Sequence, residues 1–349
     1  MTPMTLSLPS VVELNDPQLA AALRHKIERK TVPHGALGRL AALAERLGLI
    51  LGTTEPRLLA PQLVVCAADH GIAARGVSAY PSDVTWQMVG NFLAGGAAVS
   101  VLARQHGIAQ TVVDCGVRKD FAPAPGLVIR KIASGTQDSS VGPAMSAAQC
   151  EQAVQNGIEL VRGLPGNALL LGEMGIGNTS AASLLAARLG GIDVAEVTGA
   201  GTGLDAAGIA RKTAVLRQAL AANAGATAPL DALAALGGFE IATMAGAVLQ
   251  AARQRRVIVV DGFIASAAVL VASRLAPHVA QRCVFAHRSD ERGHARLLQW
   301  LDAEPLLNLG LRVGEGSGAA LAWPLLESAC RILNEMASFE SAGVSDRGR

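Results

Sequence analysis

The chain has 349 residues, enough for one large domain with an appendage or for two ordinary domains. Half of the residues are hydrophobic but only 3% are aromatic, so the core is expected to consist mainly of Ala, Val, Leu and Ile. A formal net charge of +2 excludes the strongly basic surface of a nucleic-acid-binding protein, and residues 1–10 lack the pattern of a signal peptide, so a cytoplasmic protein is expected.

Strand-like and helical patterns alternate along the middle of the chain, after a helical stretch at 1–60. Six short apolar runs predict buried strands, at residues 62–69, 111–117, 127–132, 167–174, 257–263 and 282–287. Continuous apolar runs of this length suit parallel strands that are covered on both faces. Longer patterns at 85–107 and 146–163 predict helices, the second opened by Ser146 and Gln149 at capping-box spacing. The alternation predicts an α/β fold with a mainly parallel sheet and right-handed crossovers.

The most hydrophobic window of the chain, at 257–272, is interrupted by Asp261 and Gly262. It therefore predicts a strand followed by a helix rather than a membrane span, and no membrane partner is expected. The five cysteines are far apart in the sequence and form no CxxC pair. They predict buried, reduced core thiols, so no metal site is expected.

Polar residues and glycines stand where the predicted strands end, which is where parallel sheets bind ligands. The endings are Asp69-His70-Gly71, Asp114-Cys115-Gly116, Glu173-Met174-Gly175, Asp261-Gly262 and His287-Arg288-Ser289-Asp290. Glycine lets a backbone approach a ligand closely, and the neighbouring polar group can orient that ligand. Asp and Gly are also common turn residues, so one such ending alone would mean little. Repeated along one edge, the endings predict a ligand site, although no role follows for Asp69, His70 or Asp114.

A glycine-rich turn at 172–177 joins a predicted strand to a helix that begins with Asn178, Thr179 and Ser180. Free N–H groups at a helix start attract anions, so this turn predicts a phosphate site. Its spacing imitates the P-loop of nucleoside triphosphatases, but Asn178 stands where that loop needs lysine. The turn is not a GxGxxG motif either, so neither ATP hydrolysis nor NAD binding is expected.

A second glycine-rich loop at 198–205 precedes a helix for which Asp205 is a plausible N-cap. Lys212 lies about two turns into that helix, close enough to reach a phosphate held over the loop. An exposed, solvated lysine is the alternative interpretation.

A third motif sets Glu315 between Gly314 and Gly316, just before an apolar helix. A carboxylate on a turn pinched by glycines beside apolar surface loses solvation, which raises its pKa and suits a general base. A surface-turn glutamate is the alternative.

The C-terminal part continues as one long apolar helix at 316–337 with Pro324 inside it, where a kink is expected. Only the tail at 340–349 reads as disordered. The simplest architecture has two parts, an α/β catalytic domain at 60–305 and a small helical domain made of 1–59 with 306–349.

Taken together, the motifs resemble the nicotinate-nucleotide–dimethylbenzimidazole phosphoribosyltransferases, which build the lower-ligand nucleotide of cobalamin. The resemblance covers nearly the whole chain, and GEMGIGNT and RVGEGSGA are its most distinctive motifs. The matching segments are GALGRL (35–40), AADHGIAARGVSAYP (67–81), VTWQMVGNFLAGGAAVSVLAR (84–104), VVDCGV (112–117), GEMGIGNTSAASLL (172–185), TGAGTGLD (198–205), VVDGFIASAAVL (259–270) and GLRVGEGSGAAL (310–321).

This resemblance implies a doubly wound, Rossmann-like α/β fold of about six strands, a small helical domain from both termini, and a homodimer. It also implies transfer of ribose 5-phosphate from nicotinate mononucleotide to 5,6-dimethylbenzimidazole. One nitrogen of the base would attack C1′ while the other loses its proton to Glu315. The pyridine nitrogen of the donor is already cationic and no pyrophosphate leaves, so neither a metal nor another cofactor is expected. Attack from the opposite face would convert a β-linked nucleotide into an α-linked one.

The resemblance further implies three groups of binding residues. Phosphate and ribose would be bound by Gly175, Gly177, Asn178, Thr179, Gly201, Gly203 and Lys212. The nicotinate or ribose side would be held by Glu173, Asp261 and Ser289. The acceptor base would be surrounded by Ser78, Tyr80, Gln87, Met88 and Leu311. Core packing is a serious alternative for Met88 and Leu311, because apolar residues at helical spacing usually fill space.

Two other functions stay open on the sequence. The same fold could serve a different acceptor base, since pocket size depends on tertiary contacts. A non-catalytic nucleotide-binding protein is the other possibility, because a fold does not establish an activity. A carboxylate at 315 favours the enzyme, because a binding protein has no use for a desolvated base.

Overall fold

Six strands form one sheet in the computed structural model, which describes residues 6–346. The strands are β1 (Gln62–Ala68), β2 (Ala109–Gly116), β3 (Leu127–Ile129), β4 (Ala168–Met174), β5 (Val257–Val260) and β6 (Cys283–Phe285). Every pairing is parallel, and the order across the sheet is β3-β2-β1-β4-β5-β6. This is the order of the doubly wound dinucleotide-binding folds, in which the chain reverses direction across the sheet between β1 and β4. All six predicted strands and the α/β fold are confirmed.

Helices cover both faces of this sheet. In chain order they are α1 (Pro17–Glu28), α2 (Arg39–Leu51), α3 (Asp83–Leu93), α4 (Ala98–Gln105), α5 (Ala147–Gly163), α6 (Asn178–Gly190), α7 (Val194–Val197), α8 (Ala206–Ala222), α9 (Pro229–Leu236), α10 (Phe239–Arg253), α11 (Phe263–Leu275), α12 (His294–Trp300), α13 (Ser317–Glu335) and α14 (Phe339–Ala342). Short 3-10 helices occur at Gly71–Arg75 and Pro277–Arg282. The predicted capping box of α5 is confirmed, because Ser146 Oγ accepts from the Gln149 N–H and Gln149 Oε1 accepts from the Ser146 N–H.

The helix predicted at 85–107 is wrong as a single element. Gly95 takes a left-handed φ of +75°, and the chain restarts as α4 after Gly96. By length and composition alone, this stretch of the described residues, Asp83–Gln105, could cross a membrane. In the fold it is two helices, and their apolar residues Val89, Phe92 and Val99 are buried in the core beneath the sheet.

Alternate residues of each strand enter two separate apolar cores. Val64 and Cys66 of β1 face the core formed with α5, α6, α9, α10 and α11. Leu63 and Val65 face the core formed with α3, α4 and the terminal helices α1, α2 and α13. Burial on both faces explains why the strands are continuously apolar in the sequence. All five cysteines are buried free thiols, as predicted.

The two ends of the chain meet beside α2. Lys30 forms an antiparallel bridge with Ser338, and Arg29 forms ion pairs with Glu340 and Asp346. The disorder expected from residue 340 onward is therefore wrong as far as Asp346, while 347–349 lie outside the described residues. The terminal helices share an apolar core with the sheet. The division of the chain into two domains at residues 60 and 305 therefore stays a prediction.

Candidate active site

A cavity of about 240 Å³ opens at the carboxyl ends of β4, β5 and β6. Ligands of doubly wound sheets bind at this edge, near the point where the strand order reverses. Most of the predicted site residues line the cavity: Tyr80, Met88, Glu173, Gly175, Asn178, Thr179, Gly201, Ser289 and Glu315. The other predicted residues do not line it: Ser78, Gln87, Gly177, Gly203, Lys212, Asp261 and Leu311. A second cavity of about 300 Å³, beside α1 and α2, is lined by none of the predicted residues.

Glu315 stands on a turn of unusual backbone conformation. Gly314, Glu315 and Gly316 have φ values of +74°, +67° and +91°. The left-handed region is unfavourable for a residue with a Cβ, so surrounding contacts must hold Glu315 there. Asp261 supplies one such contact, since its carboxylate accepts from the backbone N–H groups of Gly316 and Ala319 at 3.2 and 3.0 Å. The turn also lies directly on β4, where a Cβ at Gly172 would be 2.2 Å from Glu315 O.

The Glu315 side chain is half-buried at the cavity wall. Burial raises the pKa of Glu315 to about 7, and the charge of Asp261 adds to the shift. A carboxylate whose pKa lies near the operating pH is well matched to general-base work. The alternative of a solvated surface glutamate does not fit these surroundings.

Glu173 lies under the same turn, near the end of β4. Its carboxylate accepts hydrogen bonds from the Asn178 side chain and from the Glu315 backbone. A Cβ at Gly314 would be 2.5 Å from Glu173 Oε1, so this carboxylate and the turn are in close contact. Burial raises the pKa of Glu173 to about 8, with Asp261 and Glu240 contributing. Two carboxyls of raised pKa thus share one cavity, an arrangement common at catalytic sites.

The two glycine-rich loops meet at one corner of the cavity. As predicted, α6 begins at Asn178, after Gly177 at a φ of +99°, and Asp205 caps α8 by accepting from the Gly208 N–H at 2.7 Å. Lys212 of α8 donates to Thr179 Oγ1 at 2.8 Å. A Cβ at Gly201 would lie 3.3 Å from Lys212 Nζ, so the second loop passes over the ammonium group.

Lys212 is 0% exposed, so the solvated-lysine interpretation is wrong. Burial lowers the pKa of Lys212 to about 8, while Glu291 opposes the shift. Among residues 6–346 no carboxylate forms an ion pair with this ammonium, although buried charges usually need one. The corner is therefore suited to a ligand that brings its own negative charge.

Asp261 and Ser289 occupy different layers of the site. Asp261 is buried behind the cavity wall, and burial raises its pKa while nearby His287 opposes the shift. Ser289 lines the cavity, and its backbone N–H donates to His294 Nδ1 at 2.9 Å. Burial lowers the pKa of His294 to about 3, so this imidazole is a neutral acceptor.

On the side of α3, the cavity wall is formed by Tyr80, Val84 and Met88. Ser78 is bonded instead to Thr202 Oγ1 at 3.0 Å, which links its segment to the second glycine-rich loop. Gln87 is exposed on α3.

Leu311 is half-exposed, and its carbonyl accepts from the Asp290 N–H at 2.9 Å. Of the residues expected around the acceptor base, Ser78, Gln87 and Leu311 therefore do not line the cavity themselves.

Several residues that line the cavity were not among the site residues predicted from the sequence. They include Thr202, Phe263, His287, Glu291, Arg312 and Val313. His287 had a usable signal, since it ends a predicted strand, but Arg312 is one exposed arginine among many. Conversely, the strand-end residues Asp69 and Asp114 accept from backbone N–H groups of the loop after β2, at 2.8 Å for both Arg118 and Val117. Asp114 lies on β2 and Asp69 directly follows β1; both side chains contact the loop after β2, and neither lines the cavity.

Comparisons with known proteins agree along the whole chain. A family model described as phosphoribosyltransferase matches residues 12–344. The nicotinate-nucleotide–dimethylbenzimidazole phosphoribosyltransferase of Variovorax paradoxus is 71% identical over 345 residues, covering 99% of both chains. The protein of that name from Aromatoleum aromaticum is 56% identical, covering 96% of this chain and 98% of the relative. A crystal structure of the Thermus thermophilus protein of that name superposes with a TM-score of 0.90 at 41% identity, covering 95% of this chain and 100% of that chain.

Proposed function

Because the chain belongs to the phosphoribosyltransferase family of these nicotinate-nucleotide–dimethylbenzimidazole enzymes, we propose that it transfers the ribose 5-phosphate of nicotinate mononucleotide to 5,6-dimethylbenzimidazole. The products are α-ribazole 5′-phosphate and nicotinate. The observation that carries this proposal is one cavity lined both by Glu315, whose pKa is raised to about 7, and by Thr179, which accepts a hydrogen bond from the buried ammonium of Lys212. The product is a precursor of the lower-ligand nucleotide of cobalamin.

Glu315 is the general base of this proposal. As one nitrogen of the base forms its bond to C1′, the bond from C1′ to the pyridinium breaks and its electron pair returns to nicotinate. The second base nitrogen then gives up its proton to Glu315. Glu173 is less suited to this step, because its carboxyl is buried and already accepts hydrogen bonds from the Asn178 side chain and the Glu315 backbone.

The phosphate corner supports the donor side of the proposal. Lys212 and Thr179 provide an ammonium and a hydroxyl in contact, and Gly201 lets the loop backbone approach a phosphate closely. Glu173 and Ser289 line the nicotinate side, where their polar groups can form hydrogen bonds to the donor. Asp261 acts from behind by holding the Glu315 turn.

The acceptor base lies against Tyr80 and Met88 in this proposal, with Val84 extending the apolar wall. Ser78, Gln87 and Leu311 do not line the cavity, but they belong to the segments that carry its lining residues Tyr80, Met88 and Arg312. An apolar wall excludes water and allows planar aromatic bases to enter.

Homodimer formation and a cytoplasmic location are part of the same proposal. Tyr80 and Val313 are 55% and 52% exposed at the cavity, which suits an apolar surface that a second subunit covers. Sedimentation at micromolar concentration tests the dimer, and a monomer over the whole range would contradict it.

The decisive experiment is an incubation of the protein with nicotinate mononucleotide and dimethylbenzimidazole in the presence of a metal chelator. Chromatography should detect nicotinate release that depends on the base, together with an α-linked ribosyl phosphate. Parallel reactions with adenine and unsubstituted benzimidazole rank the acceptors. Nucleotide binding without release in any reaction would favour the non-catalytic alternative.

A further inference from the structure

A buried, hydrogen-bonded histidine–glutamate pair lies against the glycine-rich turn that precedes α6. His70 follows β1, Glu240 stands in the first turn of α10, and a hydrogen bond of 2.6 Å joins His70 Nε2 to Glu240 Oε1. The two side chains are 1% and 0% exposed, and neither lines the cavity. The proposed reaction gives neither residue a chemical step.

Three glycines approach the His70 side chain. A Cβ at Gly238 would lie 2.3 Å from His70 Cε1, which is closer than real atoms come. A Cβ at Gly175 would lie 3.4 Å from His70 Cδ2, and one at Gly177 would lie 3.2 Å from His70 Cβ. Two of these glycines belong to the turn before α6. The turn therefore rests on the histidine, and the histidine is held from behind by Glu240.

Stability alone does not account for such a pair. Burying two ionisable groups removes hydration that their mutual attraction restores only in part, and apolar replacements are often as stable. The position of the pair offers a better account. The turn above His70 leads directly into Asn178 and Thr179, which contact Glu173 and Lys212 respectively.

We propose that His70 and Glu240 are positioning residues for the phosphate end of the active site. Glu240 holds the imidazole of His70 in place, and the imidazole supports the turn at Gly175 and Gly177. The position of this turn determines where Asn178 and Thr179 contact the donor nucleotide. The inference rests on the proposed function, since it assigns the donor to this corner.

Two substitutions at one residue separate positioning from the need for a carboxyl group. Glu240→Gln keeps an oxygen at hydrogen-bonding distance from His70 but replaces the carboxyl by an amide. Glu240→Asp keeps a carboxyl but shortens the side chain, so that it cannot hold the ring in place. Positioning predicts that Glu240→Asp raises KM for nicotinate mononucleotide about tenfold, with KM for the base and kcat changed less than about twofold. It also predicts that Glu240→Gln stays within about threefold of the wild-type KM.

Arg256→Gln is the matched control for lost stability. Arg256 is buried at the opposite end of β5, where its side chain donates to the carbonyls of Pro165 and Leu164. We expect this variant to lower the melting temperature and leave all Michaelis constants unchanged. If both Glu240 variants behave like the control, the pair is only structural and the proposal is overturned. A larger rise in KM for Glu240→Gln than for Glu240→Asp also overturns it.

Calorimetry with nicotinate mononucleotide alone separates this inference from the proposed reaction. If the wild-type protein binds nicotinate mononucleotide but does not convert it, the proposed reaction is rejected. The two Glu240 variants are then compared by their Kd for nicotinate mononucleotide instead of by KM. Weaker binding by Glu240→Asp than by Glu240→Gln then supports positioning, and equal binding overturns it. Failure of the wild-type protein to bind nicotinate mononucleotide overturns both proposals.

Discussion

Glu315 combines two properties that its residue type does not determine. It adopts a left-handed φ of +67°, and its carboxyl pKa is raised to about 7 by burial. Both follow from contacts that are distant in sequence, since Asp261 accepts from the N–H groups after the turn and Glu173 accepts from the Glu315 backbone. A strained, desolvated carboxylate held by buried partners is a typical arrangement for a catalytic base.

Replacement of Glu315 by glutamine tests this role directly. The change removes the proton acceptor with little change in volume, so kcat is expected to fall by about 100-fold or more. Calorimetry should give a Kd for nicotinate mononucleotide within about twofold of wild type. Glu327→Gln, an exposed position on α13, is the control and should keep full turnover. Near-normal turnover by Glu315→Gln would remove the residue from the mechanism.

The pH dependence of the reaction provides a second test at this residue. The active form is the deprotonated carboxylate, and its pKa is raised to about 7. Therefore kcat/KM should fall about tenfold per unit as the pH drops below 7, and it should fall again above about pH 8, where Lys212 loses the proton that makes it attractive to phosphate. Initial rates between pH 5.5 and about 9, in buffers of constant ionic strength, measure the profile. A rate that stays level down to pH 5.5 would mean that no group with this pKa limits catalysis.

Among the described helices, α5 and α10 pack very closely on the face of the sheet opposite α3 and α4. A Cβ at Gly157 of α5 would lie 1.9 Å from Thr243 O, and one at Gly246 of α10 would lie 1.9 Å from Val154 O. The two backbones therefore touch at a pair of glycines, and no side chain fits between them. This contact bears on function because the first turn of α10 carries Glu240.

Gly246→Ala is expected to destabilise the protein, because the added methyl group must push α10 away from α5. Overpacking of this kind costs about 1–3 kcal/mol, which denaturant titration can resolve. Gly163→Ala is the control, because Gly163 ends the partner helix α5 with nothing within 4 Å of an added Cβ. It should be neutral or slightly stabilising, since alanine has the higher helix propensity. Equal stability of the two variants would mean that the helices can separate without cost.

For the molecule as a whole, the active site makes folding depend on pH. Glu173, Asp261 and Glu315 are gathered in one poorly hydrated region, and burial raises the pKa of each. Unfolding returns each carboxyl to water and to its ordinary pKa. Between the two values the folded protein holds protons that the unfolded chain releases, so rising pH favours unfolding.

These three carboxyls should therefore lower the melting temperature as the pH rises from about 5 to 9. Glu173→Gln removes the group whose folded-state pKa is about 8, so this variant should show a shallower decline and a higher relative stability at the alkaline end. Differential scanning calorimetry across this range measures both curves. Glu327→Gln, which is exposed, should follow the wild-type curve. An unchanged slope in Glu173→Gln would show that Glu173 is not protonated in the folded state.

The sequence by itself determined the elements whose signals are local. Continuous apolar runs of strand length specified the six strands, since a strand buried on both faces can be apolar at every position. Ser146 with Gln149 specified the start of α5, and Asp205 specified the start of α8, because caps act within one helical turn. The family motifs predicted that Glu315, Asn178 and Thr179 belong to one site, and all three line the cavity.

Only the tertiary structure decided which of these residues act together. Asp69, Asp114 and Asp261 look alike in the sequence. In the fold, Asp261 holds the Glu315 turn behind the cavity wall, whereas Asp69 and Asp114 contact the loop after β2. The burial of Lys212 and the pairing of His70 with Glu240 likewise depend on helices that are far apart along the chain. Local patterns fix where an element begins and which face is apolar, because those effects act over a few residues. Solvation, pKa and contact between distant side chains depend on how the elements pack, and packing is a property of the whole fold.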